Sequence, residues 1–341
     1  MRHAKPLLVA LAAAALATGG AGTWLAGAAT GYDLPVGPPA AAPGELVFAT
    51  GEELHVGART YAVRPAPETM VATAGGLYYL ADGVLYHWRD GAAGSARVAA
   101  LGGIGWLSTT ADGRYLAYVD HEHGPRNLGG HRIAETVVFD TTTGREVVRD
   151  SAGNGARTGT EDLSDLYGES TPTVLGFDDD AVYVQTARGG AVLRWDLDTG
   201  RRSALGPRER PVTENRPAGP LVDLDLVGGL PRERPGEGVG AYTGRRSPDG
   251  SRLAYTLGRG PLVSSSGDRR PVRLDVGGRQ FVLAGWLDDD RLYGLALDRA
   301  PRPTAEVTVC SVPSGRCVAA GPRVPAEDGA LPVFATGDFA Y

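Results

Sequence analysis

Apolar and polar residues alternate along this chain in short runs, and each run is bounded by a polar turn. "SPDGSRLAYTL" (247–257) shows the pattern: a turn ending in Asp249-Gly250, then Leu253 and Tyr255 on alternate positions. Alternation of period two over so few residues predicts a half-buried β-strand, and the Asp-Gly before it predicts the turn that feeds it. The same unit recurs as "GELVFAT" (44–50), "TAGGLYYL" (73–80), "TADGRYLAYVD" (110–120), "FDDDAVYVQT" (177–186) and "LDDDRLYGLAL" (287–297). Aligned on the first apolar strand position, Leu46, Leu77, Leu116, Val182, Leu253 and Leu292 mark the repeats.

More strands flank these anchors. Upstream, Gly105-Trp106, Gly176-Phe177, Ala241-Tyr242 and Gly285-Trp286 read as the ends of leading strands. Downstream, "FDTTTGREV" (139–147), "WDLDTGRRS" (195–203) and "CSVPSGRCV" (310–318) read as hairpins. Their Gly144, Gly200 and Gly315 fall where such loops need positive φ. Asp140 and Asp196 are expected to pair with Arg145 and Arg201 across the strands. Cys310 and Cys317 take facing positions in the third hairpin, which places them within disulfide reach.

Each repeat therefore reads strand, turn, strand, connection, strand, Gly-turn, strand. Four antiparallel strands that cannot bury both faces alone predict an all-β fold, a β-propeller of six blades, with seven as the alternative. The first repeat lacks a leading strand, whereas "LPVFAT" (331–336) has strand character and no repeat of its own. The C-terminal strand is thus expected to pair with the first blade and close the ring.

The turn Ser247-Pro248-Asp249-Gly250 resembles the WD40-like PD40 repeats of the TolB-type periplasmic propellers, whose hallmark is Ser-Pro-Asp-Gly before an apolar strand. Ala111-Asp112-Gly113 matches it in part, and the other repeats use Asp-Asp or Gly-Gly. The resemblance implies an exported bacterial propeller that serves as a binding platform. It carries no catalytic residue across.

Composition supports the strands and narrows the chemistry. With Gly 50 and Pro 24 in 341 residues, long helices are disfavoured and tight turns are abundant. The net charge of −6 is spread along the chain, and no basic stripe argues for nucleic acid. Lys5 is the only lysine, so a Schiff base or a phosphate-loop lysine in the folded part is excluded. Neither G-x-S-x-G nor H-E-x-x-H occurs, and no second catalytic domain has room, which excludes a propeller-capped serine peptidase.

The N-terminus reads as an export segment over residues 1–28. Arg2, His3 and Lys5 precede the apolar "PLLVALAAAALA" (6–17), and Ala26-Gly27-Ala28 supplies a cleavage pattern. The alternative is an uncleaved anchor, since about 20 apolar residues span a bilayer. Both place the body outside the cytoplasm, secreted or tethered to the membrane. Residues 29–44 read as a mobile Pro/Ala/Gly linker, and residues 45–341 as the propeller domain.

Candidate chemistry is sparse. "DHEHGPRNLGGHR" (120–132) holds His121, His123 and His131, a candidate zinc set with an open position beside the reading of a solvated loop. Cys310 and Cys317 are expected to be a structural clip that persists outside the cytoplasm. Two long connections follow the third and fourth repeats. One holds Glu161, Asp162, Asp165 and Glu169, a candidate calcium loop without D-x-D-x-D-G spacing, and the other, 206–238, carries "PRERP" twice. The Asp triplets at 178–180 and 288–290 read as turn residues.

These features give a non-catalytic exported propeller binding a protein, peptide or cell-envelope ligand through one face, with no resident cofactor. The alternative is a zinc- or calcium-dependent hydrolase or lactonase with its site in the central funnel. A sensor module held by the uncleaved anchor is the third reading.

Overall fold

Short alternating runs between Asp and Gly turns build strands, and in the computed structural model the described residues form strands β1 to β26 and no α-helix. The structure describes residues 32–89, 94–103, 106–126, 130, 132–152, 154, 172–178, 180–186, 191–206, 221–227, 230–233, 242–257, 260–265, 271–298, 300–326 and 330–337. For 221–227, 230–233, 242 and 243 only the backbone is described. The export segment lies outside the described residues, among which no helix is long and apolar enough to cross a membrane.

Six antiparallel sheets follow one another along the chain. The first contains β1 (Val47–Thr50), β2 (Glu53–Val56) and β3 (Arg59–Ala62). The second is β4 (Thr69–Thr73), β5 (Gly76–Ala81), β6 (Val84–Trp88) and β7 (Ala96–Ala100). The third is β8 (Ser108–Thr109), β9 (Tyr115–Asp120), β10 (Glu135–Asp140) and β11 (Arg145–Asp150). The fourth is β12 (Thr173–Phe177), β13 (Ala181–Gln185), β14 (Val192–Asp196) and β15 (Arg202–Ala204).

The fifth sheet holds β16 (Leu221–Val227), β17 (Leu230–Glu233), β18 (Tyr242–Arg246), β19 (Arg252–Leu257), β20 (Gly260–Ser265) and β21 (Val272–Arg273). The sixth is β22 (Gln280–Trp286), β23 (Arg291–Asp298), β24 (Thr304–Ser311) and β25 (Arg316–Pro325). The last strand, β26 (Val333–Phe334), returns to the first sheet and pairs with β1, Phe48 opposite Phe334 and Ala49 opposite Val333. The expected partnership of tail and first repeat is therefore formed.

Leading strands of successive sheets lie side by side: β26 near β4, β4 near β8, β8 near β12, and β18 near β22. Among the described residues most of the core lies between neighbouring sheets, and one small cluster, Leu253, Tyr255 and Leu262, lies within the fifth. Phe48, Leu54, Val333 and Phe334 of the first sheet share a cluster with Leu77 and Tyr79 of the second and Tyr293 and Val307 of the sixth. Leu80 and Leu85 of the second sheet meet Leu116, Val137 and Phe139 of the third. Ala117 and Val138 meet Phe177 and Val182 of the fourth, and Ala254 and Val263 of the fifth meet Phe281 and Leu292 of the sixth. Six such sheets fit the blades of a six-bladed β-propeller. Every repeat anchor is buried: Leu46, Leu77, Leu116, Val182, Leu253 and Leu292. Leu46 directly precedes β1, and the other anchors lie on the strand after the first turn of their blades.

Four expectations are corrected. The described part of the linker is seated, not mobile. Leu34 is buried in the cluster between the second and third blades, and Ala40 joins the cluster between the first, second and sixth. Gly37 N donates to Gly75 O at 2.8 Å, and Tyr78 Oη donates to Pro35 O at 2.6 Å. The composition keeps the segment irregular, but apolar side chains among its prolines give it surface to bury.

Second, part of the connection 206–238 is not a loop. Strands β16 and β17 form a hairpin, and β16 pairs with β18 with Leu224 opposite Tyr242 and Leu221 opposite Arg245. The hairpin thus extends the fifth blade at its leading edge, the side on which the leading strands gather. Third, Trp106 does not end a leading strand. It precedes β8 and is 54% exposed, and Thr109 takes the place opposite the anchor Leu116 that Phe177 and Trp286 take opposite Val182 and Leu292.

Fourth, Asp140 stands opposite Arg145 in register, but its carboxylate binds Arg114 instead, with Nε at 3.1 Å. Asp196 likewise serves the N–H and hydroxyl of Thr199, both at 2.7 Å. Turn amides that would otherwise lack partners are nearer than the cross-strand guanidinium and claim the carboxylate.

Candidate functional site

Among the described residues, the aspartates of the turns serve the amides of those turns. In the fifth blade, Ser247 Oγ donates to Asp249 Oδ1 at 2.6 Å, and the same oxygen accepts Ser251 N at 2.9 Å. Arg252 N donates back to Ser247 Oγ at 3.0 Å, and Gly250 takes φ +70°. The third blade repeats every contact: Thr110 Oγ1 to Asp112 Oδ1 at 2.6 Å, Arg114 N to Asp112 Oδ1 at 3.0 Å, Tyr115 N to Thr110 Oγ1 at 3.1 Å, and Gly113 at φ +71°. Asp178 and Asp288 each accept two amides of their own turns. Hydrogen bonds to the ionised form hold Asp249 down at about 2. The Ser-Pro-Asp-Gly signature is a folding device.

The His/acid stretch after β9 builds a different arrangement. Asp120 ends β9 opposite Glu135, the first residue of β10. Its side chain is fully buried. Its Oδ1 accepts the amides of Glu122 and His123 at 3.0 and 3.1 Å, and His123 Nδ1 lies 3.0 Å from both oxygens. From β11, Arg149 Nη1 reaches Asp120 at 3.2 Å and Glu135 at 2.9 Å, while its Nε holds Glu146 at 2.8 Å. Tyr32 completes the cluster, donating to Asp120 at 3.2 Å and sharing a 2.7 Å hydrogen bond with Tyr118. Its ring lies beside the Arg149 guanidinium, 5.6 Å from centroid to Cζ.

Three carboxylates here share one guanidinium and one imidazole. Burial alone would raise the Asp120 carboxyl, but the hydrogen bonds from His123 and from the Glu122 amide outweigh it and hold the group below its usual range. Burial disfavours the charged Arg149, yet its bonds to Glu135 and Glu146 raise it well above the ordinary arginine value. Burial, then the Asp120 charge, drives the Tyr32 phenol far upward, so it stays a donor. The cluster is an ionic clamp with its acceptors turned inward. Among the described residues, Arg149 Nη2 is buried without a hydrogen-bond partner.

Of the candidate zinc set, His121 and His123 are neighbours of this clamp and do different things. His123 serves Asp120, whereas His121 packs beside Gly103, where burial lowers its pKa and favours the neutral ring. His131 lies outside the described residues, as do Glu161, Asp162, Asp165 and Glu169. Among the described residues no group of three or more His, Cys, Asp or Glu is arranged to hold a metal. Cys310 and Cys317 are bonded across β24 and β25, with Cα atoms 3.9 Å apart in directly facing register. The roles of Tyr32, Glu135 and Arg149 were missed from sequence. Even Glu146 and Arg149 left no signal there, since strand alternation turns residues three apart to opposite faces and only the register shift beside Val147 lets them meet.

No protein-family model and no curated protein matches the chain. Among solved structures, a TolB of Agrobacterium tumefaciens aligns over 81% of this chain and 87% of its own at 14% identity and TM-score 0.36. The Cps50 (Swd1) β-propeller domain of Myceliophteria thermophila aligns over 88% and 98% at 11% identity and TM-score 0.39. A hypothetical selenium-binding protein of Sulfolobus tokodaii aligns over 89% and 95% at 11% identity and TM-score 0.38. The blade assignment rests on the sheets themselves, and none of these likenesses bears on a ligand.

Proposed function

We propose that this protein is an exported, non-catalytic β-propeller that binds a protein, peptide or cell-envelope ligand through the end of its blades that carries the long connections. Because strands alternate in direction, the connection after the second strand and the one leaving the fourth strand emerge at the same end of a blade. The Asp120 clamp, Trp106 and the two long connections all belong to that end of the third and fourth blades. The observation that carries the reading is the hairpin β16–β17: the chain spends part of a long connection building extra sheet on the leading edge of one blade. Long connections held on a rigid scaffold are where binding surfaces reside.

Export is supported by the N-terminal segment and by the disulfide, which persists in oxidising surroundings. The test is capture of partners from the producing cell's envelope by the intact protein and by a form in which residues 206–238 are replaced with a short Gly/Ser linker. Loss of a partner with an unchanged melting temperature supports the surface. An unchanged partner set removes it.

A further inference from the structure

The turn ends of the third and fifth blades provide an internal comparison. Both carry the same turn, Thr110 matching Ser247, Asp112 matching Asp249 and Tyr115 matching Arg252 through the hydrogen bonds given above. The next blade meets each with the same acidic turn: Asp178 and Asp180 in the fourth, Asp288 and Asp290 in the sixth. Between the fifth and sixth blades the junction is shut. Arg252 binds Asp290 and the carbonyl of Asp289, and Asp249 N donates to Asp289 Oδ1 at 2.9 Å.

Between the third and fourth blades it is open. Tyr115 replaces the arginine, and Asp180 turns to Arg194 of its own sheet at 2.8 Å. What remains is a cleft of about 360 Å³ floored by Tyr115, Val147 and Leu197. It adjoins a second hollow of about 250 Å³ that shares Arg114, Tyr115, Leu197 and Asp198 with it. The first volume falls within the range of small-molecule sites.

The charges at the rim select the ligand. Arg145 and Asp198 both line the cleft and are both exposed. Among the described residues, neither side chain makes an ion pair or hydrogen bond, with the other or with a third group. Arg114 is oriented by Asp140, at 3.1 Å, and lies over the Tyr115 ring at 4.8 Å. Threonines 143 and 199 add hydroxyls to the walls.

We propose that this cleft binds a small zwitterion, an α-amino acid or short peptide, with its carboxylate on Arg145 and its ammonium on Asp198. A guanidinium suits a carboxylate in fork geometry, and an unpaired carboxylate suits an ammonium. The short apolar floor between them accommodates the ligand's body. The cleft lies at the opposite end of the blades from the partner surface proposed above, so the two proposals fail separately.

Calorimetric titration with alanine, dialanine, N-acetyl-dialanine and dialanine amide tests it. A zwitterion should bind, and each blocked dipeptide should bind about tenfold or more weakly. Arg145→Gln should weaken dialanine as the amide does, and Asp198→Asn as the acetyl group does, both with unchanged melting temperatures because these side chains are exposed. Binding of alanine identifies a free amino acid as the ligand, and binding of dialanine alone identifies a peptide. Absence of binding by both at millimolar concentration, equal binding of the blocked forms, or full binding by both variants would overturn the proposal.

Discussion

Tyr32 donates its hydroxyl at 3.2 Å to the buried carboxylate of Asp120, the last residue of a blade-forming strand far along the chain. Through this contact the segment that composition marks as a spacer becomes part of the folded body. Replacing Tyr32 with Phe keeps the ring beside Arg149 and removes only the donor. Denaturant titration should show a loss of about 1–2 kcal/mol at constant slope. Removing residues 1–44 should lower stability sharply, since Leu34 and Ala40 then leave their clusters.

Acid should weaken the clamp in a defined window. The folded Asp120 carboxyl lies below its ordinary value of 3.8. Its contribution is therefore complete above that value and is lost as pH falls through it toward the folded pKa. His121 and His87, both lowered chiefly by burial, add an earlier loss as pH drops below the ordinary 6.5. Unfolding free energies measured from pH 7 to 3 should fall in both windows. Asp120→Asn should flatten the lower one and cost about 1–3 kcal/mol at neutral pH, because the Glu122 and His123 amides lose an ionised acceptor while Arg149 keeps Glu135 and Glu146. A slope unaltered by the substitution would remove Asp120 from the account.

Equivalent hairpin glycines should differ in tolerance. Gly144, Gly200 and Gly315 adopt φ of +71°, +65° and +67°. A Cβ on Gly315 would meet nothing within 4 Å, whereas on Gly144 it would lie 2.5 Å from the Leu34 carbonyl. Gly315→Ala should cost about 1–2 kcal/mol for the left-handed backbone alone. Gly144→Ala should cost at least about 1 kcal/mol more, and thermal melts of the two variants would show the difference. Equal melting temperatures would mean that the N-terminal segment does not press on this turn.

The disulfide closes a loop of sequence separation 7. Loop-closure entropy assigns it about 2 kcal/mol. Reduction, or the paired change Cys310→Ala with Cys317→Ala, should lower the denaturation midpoint accordingly and leave the strand content seen by circular dichroism intact.

Legibility followed distance along the chain. Each turn closes within a few residues through its own Ser or Thr, Asp and Gly, so Thr110–Tyr115 and Ser247–Arg252 announce themselves without any partner. The alternation of Leu116 with Tyr118, or Leu253 with Tyr255, needs only the two-residue period of a strand. Repetition of that unit then implies stacked blades, because one sheet cannot bury both faces. The tail's place beside Phe48 was also readable, since one repeat lacked a strand and one strand lacked a repeat. Even the Cys310–Cys317 bond is local, the product of a hairpin register.

Contacts between distant residues were decided by packing alone. Nothing in "TGYDLPV" (30–36) states that Tyr32 will meet Asp120 or that Leu34 will fill the seam between two blades. Both follow from the shape left when those blades stack. The partners of Arg114 and Arg149, the hairpin added to the fifth blade and the open junction beside Tyr115 are of the same kind. Hydrogen bonds and charges select the nearest available group in space, and which group is nearest is known only when the sheets are in place.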